Sequence, residues 1–319
     1  MTTTGVTGDS PFAKRLLAWF SERFPFANAL LFFILYLTGA AVARHAFGAV
    51  FISTADIVGC LVTWSYFLVL RIFDEHKDYE LDLKNHPQRV LQSGLITLAH
   101  LRVLGAIAIG AQILWSLYVD DWQFGAATLA WVIAFAWTCL MGKEFFCGEW
   151  LEKRLTLYAF SHMLVMPLIV WWLVNLGASG VEMTDSVILL MAVAFVSGFC
   201  FEITRKTKGA DEERDTVDSY SRIFGARGAA AIVMVLVLAM GALQLALIAD
   251  LAGGVRWWAT VIIALFTALA LKMLLSYRSN PTAAGREKNE GTVALLMLAG
   301  YAVTIAAALA SVPVHVAWW

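Results

Sequence analysis

Nine stretches of this chain, at 27–48, 51–73, 97–119, 122–141, 155–176, 184–204, 226–249, 256–275 and 292–312, are apolar almost throughout. A helix rises about 1.5 Å per residue, so each stretch can cross a hydrocarbon core of about 30 Å. The 319 residues are 60% hydrophobic and 15% charged. Soluble domains carry about 25% charged residues, so the expected fold is all-α, a polytopic bundle of nine transmembrane helices. With the N-terminus in the cytoplasm, only Arg44 and Arg256 of the 23 Lys and Arg fall outside. That asymmetry sets the orientation and supports nine spans, because a missed span would scramble it.

Residues 1–25 read as a cytoplasmic leader, with Ser10 and Pro11 as a helix start. Lys14, Arg15 and Arg23 alternate there with Phe12, Leu16, Trp19 and Phe20, the pattern of an amphipathic helix on a membrane surface. A solvated helical leader is the alternative. Residues 26–319 form one transmembrane domain, two four-helix units plus a ninth helix, with 277–291 as a connector. Cys60, Cys139, Cys147 and Cys200 show no C-x-x-C spacing, which points to free thiols and to neither disulfides nor zinc. A net charge of −1 offers no basic field for nucleic acid. No feature calls for an obligate protein partner, and the expected surroundings are membrane lipids, in a cell membrane of the bacterial inner-membrane type.

Two acidic clusters interrupt the apolar pattern: Asp74-Glu75-His76-Lys77-Asp78-Tyr79-Glu80-Leu81-Asp82 and Asp211-Glu212-Glu213-Arg214-Asp215-Thr216-Val217-Asp218. One follows the second run and the other the sixth, so parity places both on the cytoplasmic side, at equivalent points of a repeat. A helical step puts Asp74, Glu75, Asp78 and Asp82 within an arc of about 100°, and Asp211, Asp215 and Asp218 within about 60°. Oxygen ligands without His or Cys suit Mg²⁺, which takes one or two carboxylates and completes its shell with water and substrate phosphate. Arg71, Lys77, Arg89, Lys143, Arg205, Lys206 and Arg222 supply the cations that a diphosphate would need. The bland alternative is a pair of solvated, salt-bridged loops.

The first cluster, continued by Arg89-Val90-Leu91-Gln92-Ser93-Gly94-Leu95-Ile96-Thr97, resembles the first signature of the UbiA-type intramembrane prenyltransferases, N-D-x-x-D-x-x-x-D followed by R-P-L-x-S-G-x-I-[ST]. Asp211-x-x-x-Asp215, with Phe224-Gly225 downstream, is similar to the second signature. Asp74 and Glu75 stand where the family has Asn and Asp, Val90 where it has Pro, and Ser219-Tyr220-Ser221-Arg222 replaces the usual Thr and Pro. The resemblance covers essentially the whole chain. It implies Mg²⁺-dependent loss of diphosphate from a prenyl diphosphate donor and capture of the allylic cation by a small-molecule or lipid acceptor, an aromatic or quinone-precursor one first. Asp78, Asp82, Asp211 and Asp215 would be the central residues.

Lys143 corresponds in place to a family lysine on the diphosphate, or is an interfacial lysine reaching for water. Tyr158 and His162 share one helical stripe and could hold an acceptor, or His162 is a packing residue. Glu202 is expected to position Arg205 or Lys206. A terpene cyclase on the same metal site and a divalent-cation transporter are the rival functions. The second would need acids continuing through the spans.

Overall fold

The computed structural model describes residues 5–213 and 218–317. Its helices are α1 (Phe12–Arg23), α2 (Ala29–Ala46), α3 (Ala55–Lys77), α4 (Tyr79–Asn85), α5 (Leu98–Val119), α6 (Ala126–Gly142), α7 (Gly148–Glu152), α8 (Leu155–Met163), α9 (Val165–Gly177), α10 (Asp185–Arg205), α11 (Tyr220–Leu251), α12 (Trp257–Ser279) and α13 (Ala283–Ser311). Two short strands, β1 (Val50–Ser53) and β2 (Val314–Ala317), pair in parallel with Val50 opposite Val314.

Every apolar run becomes a helix. Among the described residues eight are long and apolar enough to cross a membrane, with α8 and α9 counted together. The remaining run, α6, is equally apolar but has 17 residues. The protein is therefore an integral, multi-pass membrane protein. The α8–α9 break has a local cause: Pro167 lacks an N–H and its ring crowds the carbonyl of Met163.

Three cores hold the bundle. The largest joins α2, α3, α6, α9 and α10 around Tyr36, Tyr66, Trp131, Trp172 and Leu190. A second joins α10 to α13 through Val233, Met240, Leu274 and Leu296. The third packs Trp19, Phe20 and Phe24 of α1 and its C-terminal edge against Leu68, Ile72, Val90 and Leu91. Viewed from the sequence α1 is a leader. In the fold its apolar side is buried on the segment that carries the first acidic cluster.

Two boundaries differ from expectation. Helix α1 begins at Phe12, and the Ser10 hydroxyl accepts from the Thr7 N–H (3.1 Å) and does not cap it. The Pro11 carbonyl takes the first helical N–H groups instead. The expected connector 277–291 is helical from Ala283 onward, because Thr282 caps α13 through the Gly285 N–H and Pro281 precedes it.

The end of the bundle away from the acidic clusters is closed by structural pairs. Asp56 receives Arg44 (2.6 Å), the Tyr36 hydroxyl (2.9 Å) and the Ser53 N–H (2.9 Å). Asp120 accepts from the Ala127 and Thr128 N–H groups (3.1 and 2.7 Å) and so caps α6.

Glu212 ties the second cluster to α13 through Arg286, with contacts of 2.8 and 2.9 Å. That guanidinium holds the Glu212 carboxyl below the usual glutamate range, against a smaller opposing effect of burial. A depressed folded-state pKa stabilises above the unfolded value and loses its effect as pH falls through the folded one. Glu212→Gln is expected to lower the thermal midpoint at pH 7. The gap to the parent should close as pH falls below about 4.5, in thermal scans of detergent-solubilised protein.

Candidate functional site

Helix α3 ends at Lys77, and Asp78 (φ −91°, ψ 3°) links it to α4. The Asp78 N–H donates to the Asp74 carbonyl and the Asp82 N–H to the Asp78 carbonyl, each at 2.8 Å. The four-residue register thus runs through the junction, and Asp74, Asp78 and Asp82 stay stacked along one side.

Arginines then divide the stripe. Glu75 is buried, at 1% exposure, and its Oε1 receives both Arg71 (2.6 Å) and Arg23 of α1 (2.6 Å). Its Oε2 is buried with no hydrogen-bond partner among the described residues. Asp82 is held by Arg89 (2.6 Å) and again by Arg23 (3.2 Å). Asp74 is left with an exposed side chain 3.9 Å from Arg71. Asp78 is half-buried and enters none of these pairs. Helix α1 also fastens the following segment, since Glu22 accepts from the Val90 N–H (3.0 Å) and Arg15 donates to the Leu95 carbonyl (3.1 Å).

In the second cluster Asp211 Oδ1 accepts from the Ala283 N–H (2.8 Å) at the start of α13, and Glu213 accepts from the Ser219 hydroxyl (2.8 Å). Asp218 is exposed. Asp215 lies outside the described residues. Glu202 pairs with both Arg205 (2.5 Å) and Lys206 (2.9 Å), as expected. Arg222 sits in the first turn of α11. Among the described residues no three His, Cys, Asp or Glu side chains converge closely enough to hold a metal ion. The chemistry of the donors still suits Mg²⁺: Asp78 presents hard oxygens outside the arginine pairs, Asp74 has an exposed side chain with Arg71 only at 3.9 Å, and among the described residues no thiol or imidazole belongs to the stripe.

A third group gathers Lys77, Tyr158 and His162, all candidates from the sequence, around Glu144, to which the sequence gives no role. After α6, Glu144, Phe145 and Phe146 adopt φ of 50°, 53° and 58°, a left-handed turn of three non-glycine residues. Such residues cost on the order of 1–3 kcal/mol each and persist where their surroundings over-determine them. Here the turn carries Glu144 Oε1 to Lys77 (3.0 Å) and to the Tyr158 hydroxyl (2.9 Å), and Lys77 also donates to Tyr158 (2.9 Å). Glu144 Oε2 faces His162 Nε2 at 3.8 Å, and both atoms are buried without a hydrogen-bond partner among the described residues. His162 stacks on Tyr158, with ring centroids 3.9 Å apart.

Two cavities share the wall of Phe73, Lys77 and Gly142. The smaller, about 20 Å³, is also lined by Asp74, Thr138 and His162. The larger, about 550 Å³, lies between α3, α5 and α6, and Lys143 lines it together with His76 and Arg102.

With this arrangement in hand, comparison with known families is decisive. The model of the UbiA prenyltransferase family matches residues 30–289. The chain belongs to the UbiA prenyltransferase family. Two solved structures share its fold. One is of a digeranylgeranylglyceryl phosphate synthase, with TM-score 0.65, 18% identity, and coverage of 93% of this chain and 99% of that one. The other is of a UbiA homologue from Aeropyrum pernix K1, with TM-score 0.62, 17% identity, and coverage of 88% and 98%. Comparison with curated proteins gives no match.

Arg23 and Glu144 escaped the sequence. Arg23 is one basic residue among many in the leader, and the turn that inverts Glu144 has no glycine to announce it. Removing Arg23 leaves Glu75 with half of its charge compensation. Arg23→Ala is expected to destabilise by about 3 kcal/mol, the scale of breaking a buried pair. Urea or thermal unfolding in micelles would measure it, and Glu75→Gln in the same background should recover part of the loss.

Proposed function

We propose that this UbiA-family protein transfers an isoprenyl group from a prenyl diphosphate to a hydroxyl-bearing acceptor, with Mg²⁺ at the acidic clusters and the site at the cytoplasmic end. One observation carries the proposal. The cavity lined by Asp74 is also lined by Lys77 and His162, and Lys77 binds Glu144, so a metal-binding stripe and an acceptor-handling pair adjoin.

Asp74, Asp78 and Asp211 are the ligands favoured here, with Asp215 added by resemblance to the family's second signature. Bound there, Mg²⁺ would offset the charge of the diphosphate and help it to leave. Glu75 and Asp82 have a different part: they hold Arg23, Arg71 and Arg89 in place, where guanidinium groups can meet phosphate oxygens. Lys77 and Lys206 add two further cations, both over the Tyr158 ring at 5.6 and 5.7 Å, and Arg205 stands beside Lys206 on Glu202. The face of Phe73 on the cavity wall suits a passing allylic cation.

The acceptor end rests on a tautomer. His162 Nδ1 lies 2.8 Å from the Tyr158 carbonyl oxygen, so Nδ1 carries the proton and Nε2 offers a lone pair. Nε2 and the Glu144 carboxylate are thus two buried acceptors facing each other, which calls for a donor between them. An acceptor hydroxyl supplies it. The C1–O bond to diphosphate breaks with its electron pair going to the leaving group. The acceptor oxygen bonds C1, and its proton moves to His162 Nε2, whose new charge Glu144 balances.

The transporter alternative fares poorly, because Asp56 is paired with Arg44 and Asp120 caps α6. Purified protein incubated with prenyl diphosphates, Mg²⁺ and hydroxyl acceptors is expected to release diphosphate and give a prenylated product by mass spectrometry. Asp78→Asn and Asp211→Asn should each reduce release by about two orders of magnitude, and normal turnover in both would defeat the metal assignment. His162→Gln and Glu144→Gln should behave differently. Transfer is expected to fall while slow diphosphate release continues, and equal loss of both would remove the acceptor role.

A further inference from the structure

The larger cavity shares Phe73, Lys77 and Gly142 with the smaller one, but among the described residues no acid of the stripe and neither Glu144 nor His162 lines it. Its floor is apolar, made by Ile72, Phe73, Ala106 and Ile109, and Gly105 and Gly142 leave it room. Arg102, the fifth residue of α5, and Lys143, the residue that caps the C-terminal end of α6, line it, and both are exposed. Neither forms an ion pair among the described residues, in contrast to Arg23, Arg71, Arg89 and Lys77 close by. His76 adds a buried Nε2 with no hydrogen-bond partner among the described residues.

We infer that this cavity is a binding site for an anionic membrane phospholipid, with its phosphate between Arg102 and Lys143 and an acyl chain along α5 and α6. Three features select that occupant. Ala106 and Cys139, both exposed, line the cavity, so it opens on the outer face of α5, which is long and apolar enough to cross a membrane, and of the shorter apolar helix α6. The wall is amphipathic along the helix axis, with cations at the end that carries the acidic clusters and apolar side chains beyond, as in a lipid. Among the described residues no carboxylate lines it. A diphosphate that needs Mg²⁺ would find no carboxylate ligand there, whereas a single phosphodiester charge is met by Arg102 and Lys143, the third basic side chain, Lys77, being paired with Glu144. The cavity shares Phe73 and Lys77 with the reaction site proposed above, but the phosphate position at Arg102 and Lys143 does not rest on that reading.

Cys139 supplies an internal reporter, and exposed Cys147, which lies off the cavity, supplies the reference. The protein is placed in nanodiscs of dioleoylphosphatidylcholine with or without dioleoylphosphatidylglycerol, and labelling by N-ethylmaleimide is followed at each thiol in the Cys147→Ser and Cys139→Ser variants. The anionic lipid is expected to slow Cys139 several-fold relative to Cys147, and native mass spectrometry should show it retained. Two surface cations favour an anionic lipid by roughly thirtyfold, so an Arg102→Gln/Lys143→Gln double variant should lose both protection and retention. Those side chains are exposed and unpaired, and elution as a monodisperse peak would verify its fold. Equal Cys139 labelling in the two nanodiscs would overturn the inference. So would protection by farnesyl diphosphate without Mg²⁺ where the anionic lipid gives none, since that assigns the cavity to the donor.

Discussion

Glu75 is the least exposed charged side chain among the described residues, and the rest of the site is arranged around keeping it so. Taking a carboxylate out of water costs several kcal/mol, and only close cations with good hydrogen bonds return that energy. Arg71, one turn earlier on α3, and Arg23, from a different helix, meet on a single oxygen. The pair fixes the rotational phase of the end of α3. With Glu75 turned inward, the helical step leaves Asp74 and Asp78 on the flank, outside the strong arginine pairs. It also explains why α1 folds back: its guanidinium is needed at Glu75, and Trp19, Phe20 and Phe24 bury alongside it.

Much of this was legible in the sequence because it is local. The apolar runs predict the helices, and four-residue spacing predicts the stacking of Asp74, Asp78 and Asp82, which backbone hydrogen bonds at 2.8 Å then maintain through the bend at Asp78. Pairing of Glu202 with Arg205 and Lys206 is likewise a matter of three and four residues. What stayed hidden depends on partners far along the chain. Arg23 meets Glu75 across 52 positions and Glu212 meets Arg286 across 74, so no window of sequence contains either contact. The helical start of α13 is a local feature, since Thr282 caps it, but the hydrogen bond from its Ala283 N–H to Asp211 spans 72 positions and is invisible to any window of sequence.

Glu144 was hidden for a different reason. Three successive left-handed residues without glycine run against local preference, and only tertiary contacts hold them. Lys77 and Tyr158 converge on one oxygen of Glu144, which offsets the backbone cost and aims the other at His162. Local propensity fails at this place because the chain is strained there, and strain of this kind collects where side chains are held for chemistry.

The two acidic clusters end up unlike each other, although their spacing is alike. The first is braced by three arginines from α1, α3 and the segment after α4. The second is braced by the α12–α13 corner, where Gly209 lies so close to the backbone of Thr282 that a Cβ would fall 2.3 Å from its carbonyl carbon. Tyr277 donates to the Lys208 carbonyl at the same corner. Asp211 therefore moves with α13, and α13 packs on α2 as well as on α10, α11 and α12. The first cluster is thus anchored to α1 and α3 and the second to the start of α13, through the Ala283 N–H on Asp211 and through Arg286 on Glu212.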